Sequence, residues 1–424
     1  MTGGIIDHGA SARREPRPSE LAILGGPKAF ADRLLVGRPN VGDRTALMER
    51  MAGILDRRLL TNDGPLVREF EEAVAELLDV RHCVAMANGT LALQIAICAA
   101  GLEGEAIVSP LTFVATAHAL QWQGITPVFC EVDPRTHNLD PTHVEDAISE
   151  RTSAIVGVHL WGRQCAIDEL TALAERRGLA LLFDAAHAFG CSHQGRMIGG
   201  HGKAEVLSFH ATKFVNSFEG GAIVTADGDL AEQARLMRNH GFADYDDVRR
   251  VGTNAKMSEA AAAMGLTSLE ALDDFYRANR ENYEAYRAGL DGIGGIELIS
   301  YEEAELCNRH YIVIEVDESA ALSRDDLQRV LWAENVLARR YFFPGCHRME
   351  PYRSAFSAGA RELTEVDRLT DRLLALTTGT AISPATVGVV TDLIRRAMAA
   401  GPRLRRRLRA IGPVDADLST PGRS

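Results

Sequence analysis

The sequence predicts an α/β fold with a central, mostly parallel seven-stranded sheet and a smaller C-terminal α+β domain, and two patterns carry that prediction. Between residues 82 and 225 short β-rich runs alternate with helical stretches, and the runs are apolar throughout rather than at every second position. Strands apolar on both faces belong in a sheet covered by helices on both sides, which is what parallel crossover connections produce. Beyond about residue 228 the alternation gives way to long helices and then an isolated strand, which reads as a second unit. A chain of 424 residues, 46% hydrophobic and 25% charged, has the length and composition for two cores.

In chain order, residues 1–20 are polar and aperiodic and read as a disordered leader. Leu66, Val67, Phe70, Ala73, Val74, Leu77 and Leu78 recur at helical spacing and define an amphipathic helix. The strand-like runs follow at 82–86, 106–108, 127–131, 154–158, 179–183, 205–207 and 222–224, the last two close enough for local antiparallel pairing. Helical stretches at 90–100, 113–124, 142–149 and 167–177 fill the gaps. Helices are then expected at 229–240 and 258–289, a strand at 311–315, and a capped helix start at Ser323-Arg-Asp-Asp326. The domains are thus a leader (1–20), a large α/β domain (21–274), a small α+β domain (275–400) and a basic, partly disordered tail (401–424) with Arg403, Arg405, Arg406, Arg407 and Arg409.

A formal net charge of −12 argues against nucleic-acid or acidic-membrane partners, which would be repelled over most of the surface. An anionic substrate then has to be met by a local group of cations. Seven scattered cysteines without a CxxC pair read as buried free thiols, and no metal site is expected. The N-terminus has no secretory pattern and no run reaches membrane length, so the expected location is the cytoplasm, with no membrane partner.

In open α/β sheets ligands gather where strands end. After Met86, Gly89 lets the backbone approach a ligand and Thr90 opens a helix whose N-terminus suits phosphate; a plain strand-to-helix turn is the alternative. Phe113 is an aromatic placed to stack on a cofactor ring, or simply core. Asp184 ends the fifth run, where a buried carboxylate needs a cationic partner, and the pyridinium nitrogen of pyridoxal phosphate (PLP) is one. His187 is in reach of the ring hydroxyl oxygen. Lys213, in Ser208-Phe-His-Ala-Thr-Lys213, supplies the amine for a Schiff base and a proton shuttle, with Ser208 near the phosphate. For Asp184 a turn cap, and for Lys213 a surface position, are the alternatives.

Taken together, Ser208–Lys213 with Glu219-Gly-Gly221, Asp184-Ala-Ala-His187, Ala87-Asn-Gly-Thr90 and Thr112-Phe113 resemble the DegT/DnrJ/StrS family of sugar aminotransferases, over most of the chain from about Leu60 to Tyr352. The resemblance implies PLP fold type I, a homodimer with shared active sites, L-glutamate as amino donor and a keto group on a nucleotide-linked sugar as acceptor. It matches Lys213 to the Schiff-base lysine, Asp184 to the pyridine-nitrogen partner, His187 to the ring-oxygen contact, Gly89, Thr90 and Ser208 to phosphate contacts and Phe113 to the stacking aromatic. Gly252–Glu259 resembles a stretch in which Asn254 reaches the other subunit's cofactor phosphate and Lys256 lies near the substrate diphosphate. Residues 339–347, with Arg340, Tyr341, Phe342 and His347, match a region bordering the sugar pocket. They look most like enzymes that aminate the 4-position of dTDP-4-keto-6-deoxyhexoses. A cyclitol or other keto-precursor aminotransferase, and a non-catalytic PLP-binding regulatory protein, are the alternatives.

Overall fold

The computed structural model describes residues 20–355 and 362–411. The expected leader, apart from Glu20, and the tail after Ile411 lie outside them.

Seven strands form the central sheet: β1 (His82–Met86), β2 (Glu105–Val108), β3 (Thr126–Phe129), β4 (Thr152–Val158), β5 (Ala180–Asp184), β6 (Ala204–Ser208) and β7 (Gly221–Thr225). Their spatial order is β1-β7-β6-β5-β4-β2-β3. Six run in one direction, and β7 lies antiparallel to both β1 and β6. The seven apolar runs are these strands. Successive residues supply opposite faces: Val84 and Met86 belong to one apolar cluster, Cys83 and Ala85 to the other. Both faces are therefore dry, and the run is apolar at every position.

Register brings the functional strand ends to one edge. Gly221, the first residue of β7, lies opposite Met86, the last of β1, and Ser208, the last of β6. A Cβ at Gly221 would come within 2.6 Å of the Asn88 carbonyl carbon and the Gly89 nitrogen, so only glycine allows this approach.

The smaller unit has a three-stranded antiparallel sheet in the order β8 (Ile296–Leu298), β9 (Ile312–Val316), β10 (Leu373–Leu376). Helices Leu272–Leu290 and Pro384–Ala399 pack together so closely that a Cβ at Gly289 would lie 2.3 Å from Thr391 Oγ1. The N-terminal segment belongs to this side as well. Ala22 and Ala29 donate backbone N–H groups to the Glu334 carboxylate, and Leu34–Leu35 pairs in parallel with Val336–Leu337.

Two expectations differ. The helix over 258–289 is two, Glu259–Glu270 and Leu272–Leu290, because Ala271 leaves helical dihedrals (φ −100°, ψ 11°). No glycine or proline marks the break. The tail begins as a helix, Gly401–Ile411, not as a solvated end. Leu404 and Leu408, four apart on one face, are buried, while Arg403 pairs with Glu20 and Arg407 donates to the Ile23 carbonyl. All seven cysteines are free thiols, six of them buried. No helix among the described residues is long and apolar enough to cross a membrane.

Candidate active site

A cavity of about 320 Å³ opens at the strand edge described above, lined among others by Gly89, Thr90, Phe113, His187, Ser208, Lys213, Tyr311 and Phe342. Residues from six separate sequence regions meet there, and the loop after β6 is held from several directions to bring them together. Lys213 N–H donates to the His210 carbonyl, Ser217 N–H to the Phe209 carbonyl, and the buried Asn40 side chain to the Phe214 carbonyl. Of the chain's four lysines, all within the described residues, Lys213 alone lines the cavity. Loss of water around its amine lowers its pKa to about 8, with the Asp184 charge opposing part of that fall.

Asp184 is buried at the end of β5. Its Oδ2 accepts from Thr116 Oγ1 at 2.8 Å and its Oδ1 from the Ala186 N–H at 3.0 Å, which fixes the carboxylate plane and leaves each oxygen further acceptor capacity. His187 Nδ1 accepts from the Trp161 N–H at 3.2 Å. Burial, with the neighbouring Lys213 and His310 charges, holds its imidazole well below the usual range. The ring is neutral at pH 7 with its proton on Nε2, so it enters the site as a donor. Trp161 is held for this bond in the left-handed region (φ 63°), a strain of about 1–3 kcal/mol of the kind that collects at working sites. Its indole stacks on Phe342 with the rings 5.5 Å apart and 2° from parallel, and Tyr311 lies 4.1 Å from His187, ring centre to ring centre.

At the other end, Asn88 rather than Thr90 caps the Gly89–Ala99 helix, accepting from the Leu91 N–H at 2.8 Å. The first two N–H groups, those of Gly89 and Thr90, are unused by the helix and suit an anion. A Cβ on Gly89 would sit 3.0 Å from Ser208 Cβ, so glycine keeps this cradle open. Phe113 lies ahead of the helix Ala115–Trp122, is 57% exposed, and faces Phe342 at 6.2 Å.

Not every expected residue reaches the cavity. Tyr341 and Phe342 line it; Asp184, Arg340 and His347 do not. Arg339 forms an isolated antiparallel bridge with Ala375, and the side chains of 339 and 340 take different partners. Arg339 lines the cavity, whereas Arg340 pairs with Asp325 at 3.2 Å over the Phe343 ring. His347 Nε2 pairs with Asp367 at 2.8 Å. Asn254 and Lys256 also lie outside this chain's cavity; Asn254 is exposed, and Lys256 donates to Asn239 Oδ1 at 2.9 Å. Tyr311, Thr116 and Trp161 were not anticipated, and Arg339 was placed only within the stretch 339–347, with Arg340 singled out as the cation. Tyr311 reads in the sequence as the first residue of an apolar strand, and the others sit in ordinary helix or loop contexts.

The arrangement fits PLP: an anion cradle at a helix start, a neutral imidazole donor and a desolvated amine line one cavity, and the buried Asp184 carboxylate, whose charge acts on Lys213, is available for a protonated ring nitrogen. That combination on a seven-stranded α/β sheet is the site of a PLP-dependent enzyme. Residues 43–395 match the DegT/DnrJ/EryC1/StrS aminotransferase family, and the chain belongs to it. It is 38% identical, over 73% of its length and 85% of the relative's, to a dTDP-4-amino-4,6-dideoxy-D-glucose transaminase from Shigella dysenteriae. A protein of the same description from Escherichia coli is 33% identical, covering 85% of this chain and 97% of the relative. The solved structure of DesI in the presence of its TDP-sugar product superposes with a TM-score of 0.88 at 52% identity, over 92% of this chain and 99% of the other. The protein is thus a PLP-dependent aminosugar aminotransferase.

Proposed function

We propose that this enzyme moves an amino group from L-glutamate to the 4-keto group of a dTDP-linked 4-keto-6-deoxyhexose. The observation that carries the site assignment is Lys213, the single lysine of the cavity, in the same pocket as the Gly89 cradle and within the field of Asp184. The substrate class rests on the likeness to the dTDP-sugar transaminases and to DesI.

Bound here, PLP supplies an aldehyde that takes up an amino group and a ring that withdraws electrons from the reacting carbon. In this proposal Lys213 holds the aldehyde between turnovers and, once free, carries a proton between the substrate carbon and the cofactor carbon. Asp184, oriented by Thr116, keeps the proton on the ring nitrogen, and His187 donates its Nε2 proton to the ring oxygen. Gly89, Thr90 and Ser208 hold the phosphate, and Phe113 covers the ring and limits water. Arg339 replaces Arg340 as the cation for an anionic substrate group, beside Tyr341 and Phe342. Asn254 and Lys256 serve the partner's site in a homodimer. We also assign residues 21–35 to the smaller unit, divided from the larger near Ala271, and place the enzyme in a reducing cytoplasm.

The test is spectroscopic. Adding L-glutamate to the yellow enzyme should bleach its absorbance, and a dTDP-4-keto-6-deoxyhexose should restore it with a 4-amino product by NMR. Restoration by scyllo-inosose alone would favour the cyclitol reading, and no bleaching with any amino donor would refute transamination.

A further inference from the structure

Among the described residues, the hydrogen bond at the Lys213 amine goes to a residue of the smaller unit: Nζ donates to Tyr311 Oη at 3.2 Å. Tyr311 is fixed independently of the lysine. Its carbonyl accepts from the Tyr301 hydroxyl at 2.5 Å, its ring rests against His187, and the chain enters β9 at the next residue. The preceding residue binds the lysine loop too, with His310 Nε2 and the Thr212 carbonyl 2.9 Å apart. The smaller unit therefore grips the lysine and its chain neighbour at two consecutive positions. Burial keeps the Tyr311 phenol protonated, its pKa well above the ordinary value. A neutral phenol accepts from an ammonium and donates to a neutral amine, so the contact persists in both states of Lys213, and the charge-assisted bond to the ammonium is the stronger of the two.

We propose that Tyr311 is a positioning residue for Lys213, its phenolic oxygen holding the free amine at one place so that the amine takes up and returns its proton from a fixed point. This rests on the reading of Lys213 as the transaminating lysine. In the step, the neutral amine takes one proton from the substrate carbon and becomes an ammonium. It then gives that proton to the cofactor carbon and is neutral again; Tyr311 exchanges no proton and remains a phenol. Without the hydroxyl the amine keeps its location only through its own flexible stem, and the ammonium loses an acceptor.

The experiment compares wild type, Tyr311→Phe and Lys213→Ala as full-length proteins. Phenylalanine keeps the ring against His187, so PLP affinity and melting temperature are expected to stay near wild type. The single-turnover rate with L-glutamate should fall about tenfold, with saturation by glutamate little changed. The pH midpoint for capture of PLP by the cofactor-free protein should move down, because the phenol favours the charged amine. A wild-type midpoint with a rate within about twofold of wild type overturns the inference. So does a slower rate with weaker PLP binding, a lower melting temperature and an unmoved midpoint, since that is a packing defect. If Lys213→Ala itself turns over at the wild-type rate, the underlying reading falls; if it is inactive while Tyr311→Phe behaves as wild type, only the role of Tyr311 falls.

Discussion

At Lys213 the quantity that matters is the charge on one amine. With a pKa of about 8 in place of 10.5, the neutral, nucleophilic fraction at pH 7 rises roughly 300-fold, to about a tenth of the molecules. Capture of PLP by the cofactor-free protein should accelerate with pH and level off above about 8, followed by absorbance in a stopped-flow series; a rise continuing to pH 10 would contradict this. A second buried group acts on stability rather than chemistry. Glu205 is fully buried in β6, and burial alone would raise its pKa, yet His159 and His201 hold it at about 2. A carboxyl below its ordinary value contributes stability above about pH 4.5 that is lost as the pH falls toward 2. Glu205→Gln should cost about 2–4 kcal/mol in urea unfolding at pH 7 and clearly less at pH 3. An equal loss at both values would show that the charge is not responsible.

Among the elements, the tightest constraint lies where the Gly89–Ala99 helix leaves the sheet. Gly89→Ala places a methyl 3.0 Å from Ser208 Cβ, at the root of a side chain that cannot swing away. We expect PLP affinity to drop about tenfold, a loss near 1.4 kcal/mol, measured by cofactor titration. Asn88→Ala removes the cap and should cost about 1 kcal/mol of stability. The strands and most helices were legible in the sequence because a sheet buried on both faces writes itself as short apolar runs, and Asp184 and Ser208 were legible because they stand where two such runs end. The break at Ala271 was hidden, since only tertiary packing marks it. The helix Gly401–Ile411 was masked by its five arginines, although Leu404 and Leu408 carry the signal at a spacing of four. Tyr311 was invisible for another reason: nothing local distinguishes a strand's leading tyrosine from one that meets a lysine 98 positions away.

For the whole molecule, the exposed Asn254 outside its own chain's cavity frames the dimer proposal. Mixing Lys213→Ala with Asn254→Ala subunits should restore activity, because one of the two shared sites then combines an intact Lys213 with an intact Asn254 from the other subunit. If Asn254 works within its own chain, mixing restores nothing, because every site then carries one defect. The sequence motifs reached this level only through order along the chain: Lys213 and Asp184 come together in the fold of one chain, whereas Asn254 would meet them only across the proposed dimer. The arrangement as a whole turns on one covalent bond. Borohydride reduction of the PLP-loaded enzyme, followed by peptide mass mapping, should place the pyridoxyl group on Lys213 and leave Lys28, Lys203 and Lys256 unmodified. Stoichiometric label on any of those three, with Lys213 unlabelled, would contradict the account.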